Sequence, residues 1–131
     1  MNHKTVLVWG SILAGLSVIL GAFGAHALKQ LLEADQLQVF ETGVRYQMYH
    51  SFALIATGIL FHFYNAKNLR IAAWFFITGI VLFSGSLYAM TALKINGQVG
   101  LGGLGILTPI GGLFFILGWL MMVISVLKKQ Q

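Results

Sequence analysis

All three acidic residues of the chain, Glu33, Asp35 and Glu41, fall in one short window between two long apolar stretches. Elsewhere the chain alternates apolar runs with short polar connections, the pattern of helices that cross a bilayer. Four runs lack Asp, Glu, Lys and Arg altogether: residues 5–25, 48–64, 71–90 and 104–127. At a helical rise of roughly 1.5 Å per residue, each is about long enough to span a hydrocarbon core of roughly 30 Å. The expected architecture is all-α, an integral membrane four-helix bundle. Its spans lie at about 5–27, 46–64, 71–91 and 104–127 within one domain covering residues 1–131.

Composition excludes most alternatives. Hydrophobic residues make up 58% of the chain and charged residues only 8%, against roughly a quarter charged in soluble domains, so a soluble core could not hide this much apolar surface. The net charge of +5 comes from lysines and arginines scattered at span ends. No stripe of positive charge could follow a phosphate backbone, and nucleic acid is not an expected partner. Cysteine is absent, which removes disulfides, thiolate metal sites and cysteine nucleophiles.

With four spans, Lys4, Lys67, Arg70, Lys128 and Lys129 share one side and Lys29, Arg45 and Lys94 the other. The excess of basic residues on the first side predicts both termini in the cytoplasm. Lys4 before an apolar run ending at Ala25, His26 and Ala27 also resembles a secretory signal. The run exceeds the roughly 7 to 15 residues of a signal core, so it is read as a span.

Small residues at helical spacing predict close helix packing, which in lipid replaces the missing hydrophobic drive. In the first span Ser17, Gly21 and Ala25 form one stripe, with Ser11 and Gly15 beside it; Gly85 and Ala89, then Gly111 and Gly118, serve the third and fourth. Between the first two spans, Asp35 followed by Gln38 looks like a helix start. From there Leu37, Phe40, Val44 and Met48 share an apolar face opposite Gln38, Glu41 and Arg45. A short amphipathic helix at the outer interface is expected there, running into the second span, with Gly43 the place where a break could fall. The string from Gly100 to Gly105 matches G-x-G-x-x-G. It lacks a preceding strand and a following acidic residue, and is read as a glycine-rich turn into a membrane helix that tolerates Pro109 in its first turns.

Polar groups in a membrane bundle are costly unless paired or facing a cavity, so their distribution is the functional clue. His26 ends the first span; Arg45, Tyr46, Gln47, Tyr49 and His50 begin the second; Ser84, Ser86 and Tyr88 lie late in the third; Thr108 opens the fourth. All four spans thus send polar residues to one outer pole, where a lipid headgroup or small polar ligand is expected to bind. Tyr46 and His50 are four apart, so the phenol could reach the imidazole. His26 and His50, read at similar depth, could ligate a metal or haem between them. Two histidines without cysteine make a weak metal signal, and no metal or cofactor is expected. The tyrosines and Trp9, Trp74 and Trp119 also fit an aromatic interface belt, and Arg45 fits a snorkelling cation.

The strings GAFGAHALK (residues 21–29), TGVRYQMYH (42–50), FSGSLY (83–88) and TPIGG (108–112), in this order and spacing, resemble domain-of-unknown-function family 423, the UPF-type small bacterial inner-membrane proteins. The resemblance covers nearly the whole chain. It implies a four-helix protein of the bacterial inner membrane and brings no activity, substrate or catalytic residue with it.

The leading functional reading is a binding or accessory module with its polar site at the outer pole. The alternative is a structural or assembly subunit that packs on itself or on a larger membrane complex through small-residue helix faces. An enzyme is less expected: His26 or His50 could act as a general base, but Ser84 and Ser86 have no acidic orienter and no nucleophile stands out. A transporter would need oligomers and would want a membrane-embedded acid for coupling, which this sequence lacks.

Overall fold

A computed structural model describes residues 1–64, 66–98, 100 and 102–128. Lys129, counted above in the charge balance, lies outside the described residues, as do Asn65 and Leu101. The described chain is helical, with no strand. Helix α1 spans His3–His26, α2 Ala34–Leu60, α3 Ala66–Ile95 and α4 Leu104–Leu127. By length and composition, α1 with the 3-10 turn that follows it, α3, and α4 are long and apolar enough to cross a membrane.

Local chemistry sets the helix ends. The Asn2 side chain caps α1, its Oδ1 accepting from the Thr5 N–H and from the Thr5 hydroxyl, each at 2.9 Å. A 3-10 turn at Leu28–Gln30 leads to α2, whose N-cap is Glu33. The helix start expected at Asp35 therefore falls two residues earlier, and the segment expected to lead into the second span does so without the break at Gly43. Residues 34–60 run as one helix through Gly43. Gly43 is buried, and a Cβ there would stand 2.8 Å from Cε1 of Tyr88, so this glycine admits a neighbour and does not break the helix. Before α4, Gly100 and Gly102 adopt φ of 113° and 51°. Their left-handed backbone accounts for the glycine-rich string as a turn.

The helices pack in two antiparallel pairs joined through α2. Along the first pair, Gly24 of α1 meets Phe40 of α2, Gly21 meets Val44, Gly10 meets Ile55 and Leu7 meets Gly58. The rings of His3 and His62 lie 4.9 Å apart at the far end. Along the second pair two phenylalanines seat on opposing glycines: Phe76 of α3 against Gly118 of α4, and Phe115 of α4 against Gly79 of α3. Gly111 lies against the backbone of Phe83. Val6, Ala53, Leu54, Ala72, Ala73, Phe76, Ile80 and Phe115 form the buried core shared by all four helices.

The close contacts differ from the expected small-residue stripes. Gly111 and Gly118 are buried at the contact between α3 and α4, but Gly85 has nothing within 4 Å of where a Cβ would stand, and Gly21 meets only Val44, at 3.5 Å. Ala25 is exposed. In α1 the buried small residues are Gly10, Ser17 and Gly24, and in α4 they are Gly111, Gly118 and Ser125. Both sets repeat every seven residues, the period of a helix that keeps one seam against an antiparallel partner over its whole length.

Helix α3 is not α-helical throughout. Ile80–Ser84 is a π-helical segment between the α-helical parts Ala66–Gly79 and Gly85–Ile95. Such insertions turn the following residues about the helix axis, and this one lies where α3 faces both α2 and α4.

Candidate functional site

Gln47 ties three helices together. Its side-chain Nε2 donates to the carbonyl oxygen of Leu13 in α1 at 3.0 Å. Its Oε1 accepts from the Tyr88 hydroxyl of α3 at 2.9 Å. One turn away, the Ser84 hydroxyl donates to the carbonyl of Gly43 at 2.7 Å, and Ser86 and Thr108 share a hydrogen bond of 2.6 Å between α3 and α4. Interhelical bonds of this kind contribute about 0.6 kcal/mol each on average in a membrane protein. Gln47, Ser84 and Ser86 are buried and Tyr88 and Thr108 half-buried, so their polar atoms spend their bonding capacity inside the protein.

His50 uses both ring nitrogens. Nδ1 lies 2.7 Å from the carbonyl oxygen of Tyr46, and Nε2 lies 3.3 Å from Nε1 of Trp119. An indole N–H can only donate, so Nε2 accepts and Nδ1 carries the proton, which defines a neutral tautomer. The imidazole lies flat on Phe115, with ring centroids 3.4 Å apart and planes 6° from parallel. Tyr46 offers His50 its backbone carbonyl rather than its phenol; its ring stacks on Phe83 at 4.6 Å.

These residues are not gathered at one pole. Gln47 faces Leu13 and Ser51 faces Gly10, so the His50 level lies near the middle of α1. His26 ends α1 and is exposed, its Nδ1 held by the carbonyl of Ala22 at 2.9 Å. Thirteen residues separate Leu13 from His26 within α1, or about 20 Å at roughly 1.5 Å per residue. His26 and His50 therefore do not face one another, contrary to the similar depth expected for them. Among the described residues no group of three or more metal-ligating side chains gathers.

Arg45, Tyr46 and Tyr49 point outward from α2. Arg45 lines a cleft of about 230 Å³ between α1 and α2 together with Glu41, Gly21, Phe40 and Val44. A second groove of about 190 Å³, on the α3 side of α2, is lined by Gln36, Val39, Leu87, Met90, Thr91 and Lys94.

Sequence reasoning missed Trp119 as the partner of His50, having read it as a belt residue, and missed the glycines at 10, 24, 43, 58 and 79 that let the helices close. For Gly10 and Gly24 the seven-residue spacing through Ser17 was the available signal. For Trp119 there was none, because its pairing depends on the rotation of α4 against α2.

A model of the family described as "Protein of unknown function (DUF423)" matches residues 20–112 of the chain. A UPF0382 membrane protein of Staphylococcus saprophyticus is 42% identical over 95% of this chain and 98% of its own length. The UPF0382 membrane protein YwdK of Bacillus subtilis is 40% identical over 95% and 98%. The UPF0382 inner membrane protein YgdD of Escherichia coli is 32% identical over 100% and 95%. No solved structure matches the chain.

Proposed function

Because the chain belongs to the DUF423 family, a family of membrane proteins described without an activity, we propose its role from its own geometry: a four-span membrane module that seats a lipid headgroup or small polar ligand in the cleft between α1 and α2. The observation that carries this reading is Arg45, exposed on α2 over a cleft whose other walls include the apolar Gly21, Phe40 and Val44. A guanidinium there can meet a phosphate while the walls meet the chain attached to it. Gln47, His50, Ser84, Ser86, Tyr88 and Thr108 act in this reading as connectors between helices. The ligand-facing residues are Arg45 and its neighbours Tyr46 and Tyr49, and His26 lies at the end of the bundle.

The four-helix arrangement asks α2 to cross the bilayer beside α1. Its contacts with α1 from Phe40 to Gly58 support this, since α1 has the length and composition of a span. In the part of α2 that follows Arg45, the polar side chains Gln47, His50, Ser51 and Thr57 are buried and hydrogen-bonded. Tyr46, Tyr49, Phe52 and Ile59 face outward. The excess of lysine and arginine in the terminal and middle segments supports cytoplasmic termini. Native mass spectrometry of protein released from mild detergent tests the binding role. Retained lipid that an Arg45→Gln variant loses supports it, and the same lipid on both proteins removes it.

A second reading, a subunit that packs on itself or on a larger membrane complex, draws on small residues left outside the contacts. Ala25 is exposed and the Gly85 position is open. A Gly85→Leu variant that keeps the parent's oligomeric state would count against it.

A further inference from the structure

We propose that the cleft between α1 and α2 selects a zwitterionic membrane lipid that carries a primary ammonium, with its phosphate on Arg45 and its ammonium on Glu41. This rests on the reading of Arg45 as a headgroup seat and adds the chemical class of the lipid.

Five residues line the cleft, and only two are charged, Glu41 and Arg45, one of each sign. They stand four residues apart in a continuous helix, which separates them by about 6 Å along the axis. Their order is fixed by the packing. Phe40, next to Glu41, meets Gly24, and Val44, next to Arg45, meets Gly21, farther from the end of α1. Glu41 therefore lies nearer the end of the bundle and Arg45 a turn deeper. A bilayer lipid presents its groups in the same sequence: the phosphate is closer to the acyl chains, and the ammonium projects outward on a two-carbon tether. Four bonds of roughly 1.5 Å separate phosphorus from nitrogen, a reach that matches one helical turn.

A headgroup whose only charge is its phosphate would place that group on Arg45 and set neutral hydroxyls beside the Glu41 carboxylate, where they can hydrogen-bond it but supply no counter-charge. A headgroup ending in a quaternary ammonium cannot donate a hydrogen bond to that carboxylate; a primary ammonium can, with up to three N–H donors. The apolar remainder of the cleft, Gly21, Phe40 and Val44, suits the start of an acyl chain. Gly21 supplies the room, because a Cβ at that position would touch only Val44 Cγ1, at 3.5 Å. A larger side chain there would extend into the cleft that Gly21 lines.

The test uses the full chain reconstituted in nanodiscs of equal phosphatidylethanolamine and phosphatidylglycerol. Lipid retained after mild detergent release is quantified by native mass spectrometry for the parent and for Glu41→Gln, Arg45→Gln and Gly21→Leu, with helicity checked by circular dichroism. The parent is expected to retain phosphatidylethanolamine over phosphatidylglycerol by about fivefold, the scale of one well-placed interfacial ion pair. Glu41→Gln should bring that ratio to the bulk value with lipid still bound, and Arg45→Gln and Gly21→Leu should lose lipid of both kinds. A parent that shows the bulk ratio, or a Glu41→Gln variant that keeps the parent's preference, overturns the selection of a zwitterion while the Arg45 seat stands. Arg45→Gln protein that keeps the parent's lipids, or a parent that retains none, overturns the seat and the selection together.

Discussion

The indole N–H of Trp119 donates to Nε2 of His50 across the contact between α4 and α2, at 3.3 Å. This bond joins helices whose backbones otherwise approach little, and it fixes the imidazole as a neutral ring lying on Phe115. An ionisable residue buried among the helices of a membrane protein is ordinarily suspected of handling protons or ligands. Here both nitrogens are engaged, so a metal ion or ligand could reach Nε2 only by displacing Trp119.

Trp119→Phe is expected to destabilise the protein by about 1 kcal/mol, because the buried Nε2 loses its donor. Replacing both partners, His50→Phe with Trp119→Phe, should cost less than the two single changes together, since no imidazole nitrogen is then left unpaired. Equilibrium unfolding in mixed micelles, followed by circular dichroism, gives all three values. Additive costs would mean that the 3.3 Å contact carries no interaction energy.

Gln47→Leu is expected to cost roughly 1 to 2 kcal/mol, since it removes one bond to α1 and one to α3. Tyr88→Phe should cost about 0.6 kcal/mol alone and nothing further in the Gln47→Leu background, because its partner is already gone. A double-mutant cycle on unfolding free energies measures this coupling. A Tyr88→Phe cost unchanged in both backgrounds would show that the hydroxyl contributes through something other than its bond to Gln47.

Glycine substitutions separate the observed seams from the stripes read in the sequence. Gly118→Ala puts a methyl 2.6 Å from the Phe76 ring and Gly111→Ala drives one into the Phe83 backbone. Gly111→Ala should be the worse, with losses of roughly 1 to 3 kcal/mol or failure to accumulate. Gly85→Ala meets nothing and should be neutral or stabilising by up to about 1 kcal/mol, as expected for an open helical site. Yields in membranes and thermal unfolding of the three variants check the order, and a Gly85→Ala protein as impaired as Gly111→Ala would contradict it.

These contrasts mark what could be read from residues alone. The helices were legible because apolar runs long enough to cross a bilayer have few alternatives, and the pairing of small residues with large ones was legible in kind. Depth along α2 was not. Hydropathy starts that span near residue 46, yet the helix begins at Ala34, and within it Gln47 and His50 turn inward while Arg45 lies over a cleft. The polar residues read as one outer pole are therefore spread from the middle of the bundle to its end. The rotation of each helix was equally hidden: Ser17, Gly21 and Ala25 look like a seam at a four-residue spacing, but a long antiparallel contact follows the seven-residue repeat of Gly10, Ser17 and Gly24.

The crossing of α2 has a direct test, made simple by the absence of cysteine. Single cysteines at the exposed positions Asn2, Lys29, Ala66 and Gln98 report the side of each connection through a thiol reagent that cannot cross membranes. If all four helices cross and the termini are cytoplasmic, Lys29→Cys and Gln98→Cys react in intact cells, while Asn2→Cys and Ala66→Cys react only after lysis. If α2 stays on one face, the connections at 29 and 66 share a side and Gln98→Cys changes to the side of Asn2→Cys. Reaction at residue 98 compared with residue 2 therefore decides between the two topologies. The side of residue 29, in the connection that follows α1, shows which leaflet's lipid reaches Arg45, a turn deeper than Glu41, in the cleft between α1 and α2.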